Sequence, residues 1–381
     1  MRFCFDAPPL PSSAAALRRT ARALVAEELA AGRIVPHNSS WMVHDAAFTL
    51  RCAAAGLVGL TLPEIYGGHG RTALERYVVY EELLAAGAPM GAHWIADRQS
   101  GPQILRHGSE AARRLLLPAI AAGRCCIGIG MSEADAGSDL AAVRTRATRV
   151  DGGWRLSGAK LWTSHGHRAD YVIVLARTEA AGANRHAGLT QFLVDTRSPG
   201  FAAKPIADIA GGSDFNELVL DDVVIPDAFV IGTPGDGWQL VTGELAYERS
   251  GPDRFLSTFT LLVEMLRAHA DSPGADARVR IGRLMAHLAT LRRMSMAVAG
   301  MLDRGLAPAV EAAIVKDLGT AFEREIPELA RLIAPVAPDP TAGDRYAASL
   351  GAALLAAPSL TLRGGTREIL RGIVARELGL R

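Results

Sequence analysis

The sequence predicts an α+β multidomain protein with an N-terminal α-helical domain, a central antiparallel β domain and a C-terminal α-helical bundle. Three observations predict this class. Apolar residues recur at helical spacing through residues 1–125, short alternating runs of β-branched and aromatic residues fill 126–235, and helical spacing returns through 236–381. With 381 residues, 49% of them hydrophobic, the chain is long enough to bury more than one core.

The N-terminal domain begins after a proline-rich lead. Its first run, AAALRRTARALVAEELAAGR, is rich in alanine and leucine, which favour helices, and its apolar residues fall three and four apart. The turn sequences PEIYGGHG and APMG punctuate the segments that follow. The spacing predicts helices over residues 13–34, 43–55, 73–87, 96–107 and 109–122.

The central domain is predicted from a change in residue type. Runs such as DYVIVLART, TQFLVDT and FNELVLDDVVI are short, rich in β-branched and aromatic residues, and bounded by glycine, aspartate and proline. From GWQLVTGELAYERS onward the helical period returns, interrupted by the proline-rich APVAPDPTAGD. Long helices joined by such loops are typical of a bundle.

Composition and charge argue against several classes of protein. The 41 lysines and arginines balance 40 acidic residues, so no basic excess is available for binding nucleic acid. No apolar run reaches the ~18 residues of a membrane span, and the first residues lack the pattern of a secretion signal. The four cysteines form neither a Cys-x-x-Cys pair nor a zinc-spaced set. We therefore expect a cytoplasmic protein without a metal site.

The stretch IGIGMSEADAGSD, residues 127–139, is the first candidate site. A strand-like lead ends in small and polar residues, among them Ser132, Gly137 and Ser138. Such a loop can present backbone N–H groups and hydroxyls to a planar or anionic ligand, because glycine lets the backbone approach closely. The alternative is an ordinary loop that closes a strand. The stretch is not a dinucleotide fingerprint, since the third glycine and the following helix are missing.

A second candidate site lies in LSGAKLWTSHGHRADYVIVLART. Trp162 is followed by two hydroxyl residues, Thr163 and Ser164, at the end of a predicted strand. An indole can pack on a flavin ring while a neighbouring hydroxyl hydrogen-bonds the reactive nitrogen of that ring. The alternative is a tryptophan that is simply part of the core.

These two stretches, together with three others in one order along the chain, resemble the acyl-CoA dehydrogenase family of flavoenzymes. GLTLPEIYGGHG resembles the N-terminal signature of the family, and MSEADAGSD resembles its Thr-Glu-Pro-x-Ala-Gly-Ser-Asp loop. The strand around Trp162, the strand FNELVLDDVVIP and the final helix GGTREILRGIVAREL also match. The resemblance extends from about residue 13 to residue 378.

The resemblance implies helical, β and bundle domains that usually assemble as a dimer of dimers. It also implies FAD between the β domain and the bundle, partly held by a neighbouring subunit. The implied reaction is α,β-dehydrogenation of an acyl thioester, with electrons passed on to an electron-transfer flavoprotein. By position in the matched motifs, the implied cofactor contacts are Ile129, Met131, Ser132, Gly137, Ser138, Trp162, Ser164, Thr366 and Arg376.

The catalytic base is expected at an unusual position. Many members of the family carry a glutamate directly before the Gly-Thr of the last helix, where this chain has Gly364. A second group places the base before an arginine on a helix of the C-terminal domain, and this chain has Glu248-Arg249 there. A glutamate facing an apolar acyl pocket is expected to have a raised pKa, with Arg249 limiting the shift and fixing the side chain. Glu244, one turn earlier, is the competitor, and the Gly364 N–H is the expected donor to the thioester carbonyl.

Two departures from the family pattern keep other functions open. The Arg-x-x-Phe-Gly and Phe-Gly-Gly-x-Gly stretches that usually complete the FAD site are absent, as in subunits that pair with a different dehydrogenase chain. The alternatives to an active dehydrogenase of fatty-acid or secondary metabolism are therefore a non-catalytic or half-catalytic subunit of a hetero-oligomer, and a flavin oxidase or monooxygenase. Acyl chain length, and whether the carrier is CoA or an acyl carrier protein, depend on tertiary packing.

Overall fold

The computed structural model of the protein describes residues 3–180, 182–268 and 274–380. Over these residues the chain forms thirteen α-helices. Six precede the strands and seven follow them, which confirms the predicted order of helical, β and helical parts. The helices are α1 (Ala14–Ala30), α2 (Ala46–Ala54), α3 (Ala73–Ala85), α4 (Gly91–Ile95), α5 (Gly101–His107), α6 (Glu110–Ala121), α7 (Gly237–Arg249), α8 (Asp253–Leu256), α9 (Phe259–Ala268), α10 (Ala275–Asp303), α11 (Ala309–Ile333), α12 (Arg345–Leu360) and α13 (Arg367–Glu377).

Local sequence explains where several helices begin and where one is broken. Thr72 and Glu75 form a capping box at the start of α3, in which each side chain accepts from the backbone N–H of the other residue. The helix predicted over residues 96–107 is interrupted, because a π-helical turn, Ala96–Ser100, separates α4 from α5. Its residues, from Asp97 to Ser100, are all buried although most are polar.

The β part is one eight-stranded sheet with the order β6-β7-β3-β2-β4-β5-β8, and β1 pairs with β4. Most pairings are antiparallel, as predicted, while β1 and β2 each pair in parallel with β4. The strands are β1 (Ile127–Gly130), β2 (Arg146–Val150), β3 (Gly153–Ser164), β4 (Tyr171–Arg177), β5 (Leu189–Asp195), β6 (Phe201–Ile206), β7 (Phe215–Pro226) and β8 (Val230–Ile231).

Strand β4 is buried on both faces of the sheet. Tyr171 and Ile173 pack with residues of α5 and α6, while Val172 and Val174 pack with residues of β3, β5 and β7. A strand covered on both sides reads as a continuous apolar run, which is why YVIVLA shows no alternation.

The helices and the sheet form two compact units. The first comprises Met1–Val43, Thr72–Met90 and Leu245–Arg381, and the second comprises His44–Arg71 and Gly91–Glu244. Each unit therefore combines segments that are distant in sequence. The domain boundaries predicted at residues 125 and 235 are based on changes in residue type and not on the contacts that define the two units. They stay predictions.

In the first unit, α11 is the central helix and contacts α8, α10, α12 and α13. A Cβ on Gly319 would lie 2.3 Å from the Arg254 carbonyl oxygen, so only a glycine lets α11 approach α8 this closely. The polar residues Lys316, Thr320 and Glu323 are buried on the same side of α11, at helical spacing. Across the described ranges, no helix combines the length and hydropathy needed to cross a membrane.

Candidate active site

The loop after β1 is anchored by a buried ion pair. Lys160 on β3 is fully buried, and its Nζ donates to Glu133 Oε1 at 2.7 Å and to the Met131 carbonyl oxygen at 3.1 Å. Glu133 also accepts from the N–H of Arg144 and from the N–H and hydroxyl of Thr145. Burial acts to raise the pKa of Glu133, but Lys160 and these donors outweigh it, and the pKa is lowered. Burial lowers the pKa of Lys160 to about 8, against the opposing effect of Glu133.

Strand β3 is irregular at Trp162. The register of β3 against β7 shifts between Lys160 and Thr163, and Trp162 has a φ of 65°, in the left-handed region that bulky residues rarely adopt. The residue is 56% exposed, and its indole lies edge-to-face with Phe215, with ring centroids 6.2 Å apart. Trp162 is therefore not a core residue of its unit, and the core alternative is wrong. Strained backbone of this kind clusters at ligand sites.

Three serines leave hydroxyls available for a ligand. Those of Ser132, Ser138 and Ser164 donate to and accept from none of the described residues, and all three side chains are at least partly exposed. The Leu161 N–H donates to the Ser132 carbonyl oxygen at 2.8 Å, which ties the loop to β3. A Cβ on Gly128 would lie 3.4 Å from the Ser164 carbonyl oxygen, so β1 runs closely beside the end of β3. An exposed indole with hydroxyls nearby fits a planar ring with a polar edge, such as that of FAD.

The other residues expected to contact FAD in this unit also lie near the loop. Ile129 is half-buried on β1, opposite Ile173 in the β4 register. The Met131 sulfur lies 4.0 Å from the Gln191 side-chain nitrogen. Gly137 is exposed, and a Cβ there would meet nothing within 4 Å, so space next to it is open.

In the first unit, the carboxylate of Glu248 is held by Arg254, which no motif in the sequence singles out. Arg254 Nη2 donates to Glu248 Oε1 at 2.9 Å, and Arg254 Nε donates to the Glu248 carbonyl oxygen at 2.9 Å. Arg254 is buried and lies 3.1 Å from Asp253 Oδ2. Burial acts to lower the pKa of Arg254, but Asp253 and Glu248 outweigh it and the pKa is raised. Glu248 keeps 18% of its side chain exposed.

Gly364 lies directly beside this carboxylate. A Cβ built on Gly364 would be 3.0 Å from Glu248 Oε1 and 3.4 Å from Arg254 Nη2. The Glu248 carboxylate thus adjoins the position that a side chain at residue 364 would take. The φ of Gly364, 66°, also lies in the left-handed region that favours glycine.

Arg249 does not have the position expected of it. Its Nε donates to the Gly364 carbonyl oxygen at 2.8 Å, so it holds the backbone of the glycine turn, while Arg254 fixes Glu248. Burial lowers the pKa of Arg249 despite the nearby Glu248 carboxylate. The next carbonyl, that of Gly365, accepts from the buried ammonium of Lys316.

A third arginine completes the surroundings of the turn. Arg363 Nη2 donates to Glu323 Oε2 at 2.7 Å and to the Ser257 hydroxyl at 2.9 Å, and its guanidinium lies 4.6 Å from the centre of the Trp41 ring. Burial lowers the pKa of Arg363, although Glu323 opposes the shift. Residue 363 is therefore a structural anchor on one side of Gly364.

The remaining predicted residues occupy distinct positions. Thr366 is the N-cap residue of α13, and Arg376 is exposed in the last turn of that helix. Glu244, the competitor for the role of base, is buried, and its carboxylate accepts from Gln99 Nε2 at 2.5 Å. The structure thus brings Glu248, Arg249 and Gly364 together in the first unit, and their catalytic roles stay predictions.

The sequence motifs did not identify Lys160, Arg254 and Lys316. The two lysines could nevertheless have been noticed, because lysine is rare in this chain. Of the 41 lysines and arginines only three are lysines, and two of these, Lys160 and Lys316, are fully buried. A rare lysine within an apolar run of an arginine-rich chain could have been singled out. Nothing in the sequence distinguishes Arg254 from the surface arginines.

Comparison with known proteins decides the family. The family model "Acyl-CoA dehydrogenase, N-terminal domain" matches residues 12–124, and "Acyl-CoA dehydrogenase, middle domain" matches residues 128–223. The acyl-CoA dehydrogenase IpdE1 of Mycobacterium tuberculosis is 34% identical over 340 residues, which cover 88% of this chain and 87% of that protein. The chain belongs to the acyl-CoA dehydrogenase family.

Members of this family are flavoproteins and FAD-dependent oxidoreductases, and this chain is an enzyme of that class. Two solved structures extend the similarity over the whole chain. A chain of the Tcur3481–Tcur3483 steroid ACAD is 25% identical with a TM-score of 0.85, and the match covers 98% of both chains. A chain of the ChsE4–ChsE5 complex from Mycobacterium tuberculosis is 27% identical with a TM-score of 0.81, and the match covers 100% of both.

Proposed function

We propose that this acyl-CoA dehydrogenase binds FAD and removes the α-proton of an acyl-CoA thioester with the carboxylate of Glu248. The observation that carries the proposal is the position of that carboxylate beside Gly364, 3.0 Å from where a side chain at residue 364 would begin. Residues 364 and 248 therefore border the same space, so a carboxylate carried by either residue could enter it. The close relation to proteins named acyl-CoA dehydrogenases supports CoA as the carrier.

Several residues of the chain would take part in the reaction, each with a different role. Glu248 accepts the α-proton, and the Arg254 guanidinium orients its carboxylate before the substrate arrives. The backbone N–H of Gly364 donates to the thioester carbonyl and stabilises the negative charge that develops there. In the second unit, Ser132, Trp162 and Ser164 would hold the flavin ring. In the first unit, the N-terminus of α13 at Thr366 would attract an anionic group. FAD held by these residues would supply the acceptor for the β-hydrogen, which leaves the substrate as hydride, and an electron-transfer flavoprotein would be the final acceptor of the electrons.

The test compares two glutamates on one helix. The holoenzyme and its variants are screened against a panel of acyl-CoA thioesters that differ in length and branching, with an artificial electron acceptor. Glu248→Gln should lower turnover by about 10³-fold, in the range of a lost general base, while the visible flavin spectrum stays unchanged. Glu244→Gln is the matched control and should keep most of the activity. Near-normal turnover in Glu248→Gln, or loss only in Glu244→Gln, would refute the assignment.

A double variant tests directly whether the carboxylate can act from residue 364 as well as from residue 248. Replacing Glu248 by glycine and Gly364 by glutamate returns the carboxylate to the opposite side of the same space. The left-handed backbone at residue 364 costs about 1 kcal/mol for a residue with a Cβ, which the fold can tolerate. We expect the double variant to recover at least a tenth of the wild-type activity, whereas Glu248→Gly alone recovers none.

A second candidate function is that of one subunit in a hetero-oligomeric dehydrogenase. Two observations favour this function. The sequence lacks the Arg-x-x-Phe-Gly and Phe-Gly-Gly-x-Gly stretches. The chain is also similar to chains of two-component assemblies, the Tcur3481–Tcur3483 steroid ACAD and the ChsE4–ChsE5 complex. Purification of the chain alone distinguishes the two functions. A yellow homo-oligomer that is bleached by an acyl-CoA without oxygen supports the self-sufficient enzyme. A colourless chain that gains flavin only with a partner dehydrogenase supports the subunit.

A further inference from the structure

The most unusual buried group outside the proposed base is Lys316. Its side chain lies on α11 with no exposed surface, and its ammonium donates to the Gly365 carbonyl oxygen. Among the described residues, no carboxylate lies within ion-pair distance of it. Burying an ammonium that a carboxylate does not pair costs free energy, so a simple packing role would be served better by an apolar residue.

Lys316 and Arg249 act on two successive peptide groups. Arg249 holds the carbonyl of Gly364, and Lys316 holds the carbonyl of Gly365. In a trans peptide the C=O and the following N–H point in opposite directions, so these two bonds also fix the N–H groups of Gly365 and Thr366. Both glycines have positive φ, 66° and 97°. Without these two hydrogen bonds, a turn made of two glycines could adopt many conformations.

The same turn borders the carboxylate of Glu248. The Cβ position of Gly364 is 3.0 Å from Glu248 Oε1, so any shift of the turn changes the space in which the carboxylate lies. When protonated, the Lys316 ammonium also interacts electrostatically with that carboxylate. One side chain therefore affects both the shape and the electrostatics of the base site.

We propose that Lys316 is a positioning residue of the proton-abstraction site, which sets the Gly364–Gly365 turn against Glu248. The inference rests on the proposed function of Glu248. It assigns to Lys316 no contact with the substrate or with FAD. Its role is to hold the turn that carries the expected thioester-carbonyl donor and borders the base.

Lysine differs from arginine at this position in one respect, although the chain has 38 arginines and only three lysines. Burial, with smaller contributions from the neighbouring arginines, lowers the pKa of Lys316 to about 7 against the opposing effect of Glu248. An ammonium with such a pKa can lose its proton inside the protein, which a guanidinium cannot do. On α13, Arg367 and Arg371 pair with Asp317, which follows Lys316 in the sequence. The charged groups that act on Lys316 itself are Arg249, Arg254, Arg363 and Glu248.

The test uses the FAD-loaded enzyme with Lys316→Met, Lys316→Arg and the exposed control Lys204→Met. Turnover is measured against pH on the thioester that the panel identifies, and amide hydrogen exchange is measured in the segment 363–367. For Lys316→Met we expect kcat to fall about 10-fold or more with KM little changed, and exchange in this segment to rise about 5-fold, as for one lost hydrogen bond. Lys316→Arg should restore much of kcat, and both variants should lose an inflection near pH 7 that the wild type shows.

Several outcomes would overturn the inference. It fails if Lys316→Met retains kcat within about twofold and leaves exchange in the segment 363–367 unchanged. It also fails if Lys204→Met gives the same losses. If Lys316→Met does not fold, Lys316→Gln, which keeps a donor without the charge, replaces it. If Glu248→Gln retains activity, the proposed function fails, while the exchange measurement still tests whether Lys316 holds the turn.

Discussion

Replacing Lys160 by methionine tests whether the buried ion pair holds the loop expected to bind FAD. Methionine keeps most of the apolar stem of the side chain and removes the ammonium that contacts Glu133 at 2.7 Å and the Met131 carbonyl at 3.1 Å. In general, truncating one partner of a buried pair costs about 3–5 kcal/mol, because the other charge is left unpaired. Glu133 would keep three donors, the N–H groups of Arg144 and Thr145 and the Thr145 hydroxyl. We therefore expect a smaller cost, about 2 kcal/mol.

Amide hydrogen exchange measures this cost where it arises. A loss of about 2 kcal/mol corresponds to about 30-fold faster exchange, provided that the loop opens locally rather than by global unfolding. The informative amides are those of Leu161 and Thr145, which donate to the Ser132 carbonyl and to Glu133. The matched control is Lys204→Met, since Lys204 is 66% exposed and lies 3.9 Å from Glu217. Its removal should change exchange and stability by less than about 0.5 kcal/mol.

The same variants are compared for flavin content after gel filtration. Lys160→Met should retain less FAD than the wild type, because its loop is no longer held against β3, and Lys204→Met should retain as much. Equal exchange at Leu161 and Thr145 in the two variants would refute the reasoning. It would mean that the backbone donors to Glu133 hold the loop without the ammonium.

Two further predictions concern residues of the second unit. Trp162→Gly should stabilise the FAD-free protein by about 1 kcal/mol, because glycine tolerates the φ of 65°, and it should also weaken FAD binding. Thermal unfolding measures the first effect and a flavin titration measures the second. A less stable apoprotein would contradict the backbone strain inferred at Trp162. His93 is buried and its pKa is lowered to about 4, mainly by burial. Because the unfolded chain binds this proton below about pH 6.5, stability should fall by up to about 3 kcal/mol as the pH drops from 6.5 to 4. Unfolding midpoints across this range should fall less steeply for His93→Gln, and an unchanged slope would contradict the assignment.

The identity of the elements followed closely from local sequence. Helical periods and turn residues predicted α1, α3 and α6 to within a few residues, since the signals lie within each segment. The prediction of one continuous helix over residues 96–107 is wrong, because the polar residues Asp97 to Ser100 are buried in a π-helical turn. Periodicity contains no information about which neighbours will bury a segment.

The sequence by itself determined the order of the three parts and the family, and it predicted Glu248 and Gly364 as the pair on which the chemistry of the base should depend. Each of these follows from residue type and position in a matched motif. Only the tertiary structure decided that Arg254 rather than Arg249 holds the Glu248 carboxylate, and that Lys316 reaches the Gly365 carbonyl from α11. The first contact joins α8 to α7, and the second joins α11 to the turn that precedes α13. Because such distances are set by how whole helices pack, no pattern within a single segment specifies them.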